Sequence, residues 1–415
     1  MNTDYDILII GGGMIGSSLA CALAPLSLKI GIVERYPFQS QAQSSFDARS
    51  IALAYGTKKI FQSMGVWDEL AAAVMPITDI HISDRGQFGA TRLNSQDSGV
   101  DALGYVVESR DLGSALQSAL AQQEQVDLIC PAEVEQVVIS DDYAEILVSD
   151  NGQGRRLKAS LIVAADGSQS IIRQQLNMKS KTWEYGQTAL ISNVSTSKPP
   201  QHIAYERFTD TGPLALLPMR PITEDGQVVS RYSLVWTLND DQVEGYLDLD
   251  DAAFLNRLQQ RFGHRVGEFT RVGKRYSYPL KLVSVPNQVQ SRVALIGNAA
   301  HTLHPVAGQG YNLGMRDVAV LSEVLADALN TEKNIGDLQV LQQYAERRQR
   351  DHKSASLLTD SLVRVFCNPL LPVKLVRSAA LTTLDFLPPI KKILSKQTMG
   401  LAGKIPTMTK GIPIK

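Results

Sequence analysis

DILIIGGGMIG, residues Asp6–Gly16, decides the fold of this chain. The apolar run predicts a central parallel strand, and the glycines predict a tight turn into a helix over Ser17–Leu23. A second buried strand, Lys29–Val33, ends at Glu34. Strand, turn, helix, strand and acid follow one another as in a βαβ unit that binds a dinucleotide. We therefore predict a Rossmann-like domain with Glu34 on the adenosine ribose. Its phosphate-binding glycines are Gly11, Gly13 and Gly16.

Two later segments return to the same kind of structure. DGSQSIIR, Asp166–Arg173, closes the buried strand Leu161–Ala165. RVALIGNAAHTLHPVAGQGYNLGMRD, Arg292–Asp317, begins as a strand, breaks at Gly297 and enters a helix near Tyr311. A glycine loop that leads into a helix N-terminus is a place to bind an anion or an electron-rich ring edge. Because G-x-G-x-x-G occurs once, we predict one tightly held dinucleotide rather than two Rossmann domains.

Between these segments the pattern changes to strands rich in β-branched and aromatic residues. From Thr182 to Ser284 they surround one helix near Ala252–Phe262, and Ile77–Leu93 joins them. This pattern predicts a mostly antiparallel sheet interleaved with the nucleotide-binding domain. The predicted fold class is α/β, with a discontinuous nucleotide-binding domain (1–76, 94–181 and 285–330), a sheet domain (77–93 and 182–284) and a helical C-terminal region (331–415).

Composition excludes several classes of function. A formal net charge of -1 over 415 residues argues against a general nucleic-acid binder. The three cysteines are far apart, so neither a disulfide framework nor a zinc site is indicated, and a reducing cytoplasm fits. His301 and His304 have an H-x-x-H spacing without a carboxylate cluster beside them, so we predict no metal site. No secretory signal is apparent, and no apolar run has the length of a membrane span.

GGGMIG, DGSQSIIR and GNAAHTLHPVAGQGYNLGMRD resemble the three signature motifs of the FAD-dependent aromatic hydroxylases, the p-hydroxybenzoate-hydroxylase-like flavoprotein monooxygenases. FDARSIAL, VWDEL, HISDRG, ERFT-x-x-GPLALLPM and SLVW resemble the ubiquinone-biosynthesis branch, as does Asn298, where the wider family has aspartate. The resemblance covers nearly the whole chain. It implies FAD, NADPH or NADH as reductant and O2 as co-substrate. It further implies that a flavin C4a-hydroperoxide hydroxylates a polyprenylated methoxyphenol.

The resemblance also nominates site residues. Arg49 and Arg110 match arginines that flank FAD, with a structural ion pair as the alternative for each. Asn312 is expected to hydrogen-bond the flavin edge, and Arg173 to brace the loop of its motif, with a simple salt bridge to a helix end as the alternative. Contacts to FAD are predicted for Gly11, Gly13, Gly16, Glu34, Arg49, Arg110, Asp166, Gly167, Gly297, Asn298, Gly310 and Asn312.

The reaction space is predicted beside the loop before the third helix. The backbone N–H groups and the positive helix end would stabilise charge at the flavin, and the glycines would leave the ring face open. The catalytic candidates are Pro305, Gly308, Gln309 and Gly310, where Gln309 orients either the substrate or only the loop. The antiparallel sheet is expected to supply an apolar wall that excludes water. Its candidates, of which alternation turns about half outward, are Phe208, Leu214, Leu216, Pro218, Leu234 and Trp236.

The C-terminal tail differs from the rest of the chain in charge. Residues 361–415 are rich in apolar side chains and contain one acid, Asp385, against nine basic residues: Arg364, Lys374, Arg377, Lys391, Lys392, Lys396, Lys404, Lys410 and Lys415. Such a tail fits the anionic surface of an inner membrane or a partner in a quinone-biosynthesis complex. The alternative is a helical cap packed on its own domain.

Two other functions stay open beside the hydroxylase. One is an FAD-dependent prenyl-lipid reductase on the same fold, which would consume no oxygen. The other is a non-catalytic subunit of a quinone-synthesis assembly, which would have little need for an intact set of flavin motifs.

Overall fold

The computed structural model describes residues 3–37, 49–150, 152–303, 308–366 and 371–415. The strands, in chain order, are β1 (Tyr5–Ile10), β2 (Ile30–Val33), β3 (Ser50–Ala54), β4 (Met75–Ile77), β5 (Asp79–Asp84), β6 (Ala90–Asn94), β7 (Gly104–Glu108), β8 (Val126–Ile129), β9 (Ala132–Ile139), β10 (Ala144–Asp150), β11 (Gln153–Ala164), β12 (Lys181–Thr196), β13 (Ile203–Thr209), β14 (Gly212–Glu224), β15 (Gln227–Asn239), β16 (Phe269–Val272), β17 (Tyr276–Ser284), β18 (Val289–Gln290), β19 (Val293–Leu295) and β20 (His301–Thr302). The α-helices are α1 (Met14–Leu23), α2 (Tyr55–Ser63), α3 (Trp67–Leu70), α4 (Ser109–Ala121), α5 (Ile171–Gln175), α6 (Val243–Leu247), α7 (Asp251–Phe262), α8 (Gln309–Asn330), α9 (Leu338–Phe366), α10 (Leu371–Phe386) and α11 (Pro388–Thr398).

The first sheet has the predicted βαβ unit at its centre. Its order is β18–β19–β11–β1–β2–β8, and β10 and β9 extend from β11 as antiparallel strands. β1 pairs in parallel with β2 and β11, so that Ile9 lies opposite Ile32 and Val163. Ile7 and Ile9 share a core with α1, α4, α8 and α9, whereas Leu8 and Ile10 pack on the other face. The strand is apolar from Ile7 to Ile10 because both of its faces are buried there.

The second sheet is mostly antiparallel, as predicted. Its order is β20–β17–β12–β15–β14–β13–β5–β6, and β16 pairs with β12. β5 and β6 come from the segment before residue 94, and β5 pairs in parallel with β13. The predicted helix near residues 252–262 is α7, which packs on one face of this sheet. The short strand β20 brings residues 301 and 302 into the second sheet, next to β17.

A third, small sheet, β3–β7–β4, packs into the cores of both other sheets. Met75, Ile77 and Val106 of this sheet share a core with Ala204 and Met219 of the second sheet. The end of the FDARSIAL motif lies in β3, and the helix that follows it, α2, begins at Tyr55; Phe46 lies outside the described residues.

The C-terminal helices close the edge of the second sheet. α10 lies along the edge strand β6: Thr91 Oγ1 donates to the carbonyl of Leu381 at 2.7 Å, and the Arg92 N–H donates to Asp385 at 3.0 Å. A hydrogen bond of 2.6 Å between the hydroxyls of Ser98 and Ser395 attaches α11 to the segment that follows β6. Covering an edge strand in this way blocks pairing with other chains. Within the described ranges, no helix is long and apolar enough to cross a membrane.

Candidate active site

The glycine loop after β1 leaves no space for side chains. A Cβ on Gly11, where φ is +104°, would lie 2.6 Å from the carbonyl oxygen of Ala165. A Cβ on Gly16 would lie 1.9 Å from the carbonyl oxygen of Gly11. The backbone of this loop therefore approaches β11 and the first turn of α1 as closely as only glycine permits. This is the geometry in which a pyrophosphate can reach the N–H groups at a helix N-terminus.

Glu34 stands beside this loop, at the end of β2. Its carboxylate is buried and accepts hydrogen bonds from the N–H of Gly12 at 2.7 Å and of Tyr36 at 2.9 Å. The carboxylate is thus held at the place where an adenosine ribose would lie against the glycine loop.

The Asp166–Arg173 motif forms the next part of the site. Asp166 accepts a hydrogen bond from the N–H of Ile171 at 2.8 Å, while its other carboxylate oxygen is buried without a partner among the described residues. Burial raises the pKa of Asp166, although its hydrogen bonds oppose the shift. Arg173 donates to the carbonyls of Ala299 at 2.9 Å and Ser168 at 2.6 Å, which confirms the predicted brace. It therefore ties the second motif to the third.

A buried ionic network that involves α8 and α9 supports the third motif. Asp317 of α8 accepts hydrogen bonds from the N–H of Gly297 at 3.0 Å and from Arg348 at 2.7 Å. Its two oxygens also meet Nε2 of His301 at 2.6 Å and Nε2 of His352 at 2.8 Å. Burial alone would raise the pKa of Asp317, but the two histidines and Arg348 hold that pKa well below its usual range. The carboxylate is therefore ionised and pins the loop at Gly297 onto α8 and α9.

The sequence suggested His304 as a neighbour of His301, and His304 lies outside the described residues. The structure instead places a carboxylate and a second histidine, Asp317 and His352, next to His301. Sequence reasoning missed this cluster because its members are far apart along the chain. The facing atoms are already bound to one another and to a cation, Arg348.

Asn312 has a different role from the predicted one. Its amide oxygen accepts from the N–H of Ala54 and the hydroxyl of Thr57, each at 2.7 Å. Its amide nitrogen donates to the carbonyls of Ala52 and Gly308, each at 2.8 Å. Because both donor hydrogens are used within the protein, the expected hydrogen bond to a flavin edge is replaced by a clamp between β3 and the start of α8.

One large cavity joins the motifs to the second sheet. Its volume is about 1340 Å³. We call two parts of its lining the motif wall and the sheet wall. The motif wall consists of Gly13, Met14, Ile15, Ala165, Gly167, Gly297, Asn298, Gly308, Gln309, Gly310, Tyr311 and Asn312. The sheet wall consists of Ile80, Ile82, Ile191, Ala204, Glu206, Phe208, Ala215, Leu217 and Val235. The end of α9, together with α10 and α11, lines the remaining side.

Most of the residues predicted for the apolar wall lie on the face of the sheet that points away from the cavity. Of the six candidates, Phe208 lines the cavity. Leu214, Leu216, Leu234 and Trp236 point to the other face and pack against α7. Their neighbours along the strands line the cavity instead, because successive side chains alternate between the faces of a sheet. Pro218 is not among the lining residues.

The two arginines differ in position. Arg49 lines the cavity, with its guanidinium 5.0 Å from the ring centroid of Tyr278 and hydrogen-bonded to the hydroxyl of that residue. Arg110 lies outside the lining; it is half exposed and pairs with Glu108 at 2.9 Å. The ion-pair alternative thus describes Arg110, while Arg49 faces the site.

Three of the four catalytic candidates lie together at the cavity. Gly308, Gln309 and Gly310 line the cavity, and Pro305 lies outside the described residues. A Cβ on Gly310 would meet no atom within 4 Å, so the glycine leaves that part of the cavity open.

The residues present fit FAD. The glycine loop gives the close backbone approach that a pyrophosphate needs, Glu34 faces the ribose position, and Asp166 keeps one unpartnered oxygen for a ligand. Gly11, Gly16, Glu34 and Asp166 shape this loop region, and the remaining predicted contacts, apart from Arg110, line the cavity itself.

Comparison with known proteins identifies the family. Residues 4–356 match the FAD-binding-domain family. The chain is 34% identical over 412 residues to ubiquinone hydroxylase UbiL of Rhodospirillum rubrum, covering 99% of this chain and 93% of that one. The chain belongs to the FAD-dependent hydroxylases of ubiquinone biosynthesis.

A more distant relative and a solved structure are also similar to this chain. The chain is 28% identical to 3-demethoxyubiquinol 3-hydroxylase of Escherichia coli, over 96% of this chain and all 100% of that one. p-Nitrophenol 4-monooxygenase PnpA of Pseudomonas putida has the same fold, with a TM-score of 0.79, 16% identity and coverage of 97% and 100%. This hydroxylase of the ubiquinone branch is therefore an FAD-dependent aromatic monooxygenase, which favours that function over the prenyl-lipid reductase and the non-catalytic subunit.

Proposed function

We propose that the protein hydroxylates a polyprenylated methoxyphenol, with NADPH or NADH as reductant and O2 as co-substrate. One observation carries the proposal: the cavity places an apolar sheet wall opposite the motif wall. A bound flavin supplies the activated oxygen, and the protein must hold a ring beside it and keep water out. The size of the cavity and its aliphatic lining suit a phenol with a prenyl tail better than a charged aromatic acid.

The site roles follow from this arrangement. We assign FAD binding to the glycine loop, Glu34, Asp166 and the motif wall, with Arg49 at its edge. Gly310 keeps space beside the ring, Gly308 lets the loop approach Ala52 of β3, and the start of α8 presents backbone N–H groups at the ring. The same proposal assigns residues 1–76, 94–181 and 285–330 to FAD, residues 77–93 and 182–284 to the substrate, and residues 331–415 to the cavity's cover.

The test uses the FAD-loaded protein, either reductant and a short-chain 2-prenyl-6-methoxyphenol. We expect a product with one added oxygen atom, and labelled O2 should supply that atom. A prenyl-lipid reductase would consume reductant without incorporating oxygen, and a non-catalytic subunit would form no product. In cells grown with oxygen, deletion of the gene should cause a prenylated methoxyphenol to accumulate; normal ubiquinone would contradict the proposal.

We also propose that α11 and the adjoining end of α10 rest on an anionic membrane surface. Phe386 and Ile393 are 77% and 66% exposed, and Leu387 and Ile390 are also exposed. Lys392 and Lys396 are exposed on the same helix. Ile390 and Ile393 line the mouth of the cavity as well, so a prenyl tail could pass from lipid into the site without crossing water.

The rest of the tail supports the cap interpretation. Arg377 is buried against Asp84, with Nε 2.6 Å from the carboxylate, and Lys391 pairs with Asp385 at 3.3 Å. The membrane proposal therefore rests on α11 rather than on the whole basic tail.

Vesicle sedimentation tests this docking. We expect the FAD-loaded protein to sediment with vesicles that contain anionic lipid and not with neutral ones. Lys392→Glu with Lys396→Glu should weaken binding by about tenfold or more, because each lysine near the surface contributes about 1 kcal/mol. The control is Lys179→Glu, an exposed lysine of the first domain. Equal sedimentation of all three proteins would contradict membrane docking and favour a protein partner.

A further inference from the structure

The strand that carries the ERFT sequence places a carboxyl in the cavity. Along β13, Ala204, Glu206 and Phe208 alternate with residues of the opposite face, and all three line the cavity. Glu206 lies opposite Ala215 of β14 and Ile82 of β5. Its neighbours on the sheet wall are thus small or aliphatic, and none of them can hydrogen-bond a carboxylate.

Glu206 is the only carboxylate among the described residues that line the cavity. No hydrogen bond or ion pair joins its carboxylate to another described residue. The two lining cations are engaged elsewhere: Arg49 bonds Tyr278, and Arg377 of α10 bonds Asp84. Burying an unpaired carboxyl among apolar side chains costs stability, so its presence in a cleft points to a ligand that completes it.

The surroundings of Glu206 also set its protonation. Burial raises the pKa of Glu206 to about 7. On its own strand Arg207 points to the other face and donates to the carbonyl of Phe262, and His81 of β5 lies on that face beside Arg265. Thus no charged group among the described residues offsets the burial, and the carboxyl titrates near neutral pH, where a general base is most effective.

We propose that Glu206 binds the phenolic hydroxyl of the substrate and acts as its general base. This inference rests on the proposed hydroxylation of a phenol. As oxygen is transferred to the ring, the phenolic O–H bond breaks and its proton moves to a carboxylate oxygen of Glu206. The electron pair stays on the phenol oxygen and makes the ortho and para carbons more nucleophilic. When aromaticity returns, the electron pair of the ring C–H bond enters the ring and its proton goes to the anion that the transfer leaves on the oxygen donor, while Glu206 gives its own proton back to the phenol oxygen.

The first experiment compares two ligands and two side chains on the FAD-loaded protein. The ligands are a short-chain 2-prenyl-6-methoxyphenol and its methyl ether, which lacks the hydroxyl. Wild type should bind the phenol at least about tenfold more tightly, since a hydrogen bond to a charged group contributes about 1.5–3 kcal/mol. Glu206→Leu should bind both ligands with similar affinity. If Glu206→Leu keeps the preference, the proposal is wrong.

The second experiment measures kcat/KM for hydroxylated product against pH. A carboxyl with a raised pKa is neutral below about pH 7 and ionised above it, so wild-type kcat/KM should rise through that pH. Glu206→Gln still accepts a hydrogen bond but takes no proton, so its kcat/KM should be lower and should lose this inflection. The control is Glu184→Gln, an exposed carboxylate paired with Lys281. An unchanged inflection in Glu206→Gln would overturn the inference.

FAD content and thermal unfolding separate these effects from misfolding. Both Glu206 variants should retain FAD and should be at least as stable as wild type at pH 8, because they remove an unpaired charge that is half-buried among apolar side chains. A wild type that binds neither ligand and forms no product would overturn the proposed function and this inference together. Hydroxylation by wild type, together with an unchanged ligand preference in Glu206→Leu or an unchanged pH inflection in Glu206→Gln, would overturn the inference alone.

Discussion

The motif wall and the sheet wall of the cavity are built from different materials. The motif wall is mostly backbone and glycine, held by hydrogen bonds such as the Asn312 clamp and by the buried Asp317 network. The sheet wall is made of side chains on alternating positions of β12–β15 and β5. Backbone geometry tolerates little change, whereas a side-chain lining can be altered one residue at a time. The difference implies that substitutions in the first wall affect FAD and stability, and those in the second affect the substrate.

The largest effect is expected for Gly16→Ala. The added Cβ would collide with the carbonyl oxygen of Gly11, 1.9 Å away, so the loop and α1 must separate. We expect almost complete loss of FAD, measured as the flavin-to-protein absorbance ratio of the purified protein. The matched control is Gly245→Ala in α6, where a Cβ would meet no atom within 4 Å. Normal FAD content in Gly16→Ala would contradict the glycine-cradle argument.

The next largest effect is expected for the buried Asp317 network that supports the motif wall. Asp317→Asn should destabilise the protein by about 3–5 kcal/mol, because the neutral amide leaves Arg348 buried with less counter-charge. Urea unfolding measures this change. Asp68→Asn, at an exposed position of α3, should change stability by less than about 0.5 kcal/mol.

The wild-type network also predicts a pH dependence. The depressed pKa of Asp317 makes its stabilisation complete above the unfolded pKa and lost as pH falls through the folded pKa. Asp317→Asn should therefore flatten the acid limb of the unfolding curve. An acid limb as steep as that of wild type would contradict the network's role.

A substitution in the sheet wall should spare FAD. Ala215→Phe adds a ring opposite Glu206 and fills part of the cavity. We expect normal FAD content and a KM for the prenylated phenol raised by about tenfold or more, equivalent to about 1.4 kcal/mol. Val228→Phe, at an exposed position of the same sheet, is the control for added bulk. Loss of FAD in Ala215→Phe alone would show that the two walls are not independent.

The smallest effect concerns charge at the motif wall. Asn298 lines the cavity where the wider family has aspartate. Asn298→Asp should keep FAD but lower the flavin reduction potential, because the added negative charge disfavours the anionic reduced ring. The expected shift is at most about 30 mV, or about 1.4 kcal/mol for two electrons. Spectroelectrochemical titration beside Asn256→Asp, an exposed position of α7, checks it; an unchanged potential would remove the electrostatic argument.

Local sequence predicted the βαβ unit, the strands of the second sheet and the glycine-lined half of the site. These features depend on spacing within a few residues, so they can be read before the chain is folded. The strand pattern also predicted that the segment before residue 94 joins the second sheet, which β5 and β6 do, although Ile77 at its start belongs to the third sheet. The alternation of side chains along β14 and β15 was visible in the sequence. The sequence did not show which face of these strands packs on α7 and which lines the cavity.

Contacts between distant parts of the chain account for the misses. Glu206 was quoted within the ERFT sequence, yet an acid on an apolar strand could as well have faced water. His301 was compared with His304, three residues further along the motif, although its partners are on α8 and α9. Asn312 was assigned to the flavin because the position of β3, which uses both sides of its amide, was not foreseen.

By itself, the sequence determined the cofactor and the family, because the glycines that admit FAD must occur at set spacings along one strand–turn–helix unit. Only the tertiary structure decided what lies opposite that cofactor. Folding brings β13, β14 and the end of α9 from remote parts of the chain to the same cavity as the motif wall. The tertiary structure also determines which of the two alternating sets of side chains on each strand faces that cavity. That choice makes Glu206 the only carboxylate among the described residues of the cavity lining, because a shift of one residue along β13 would have turned it to the other face.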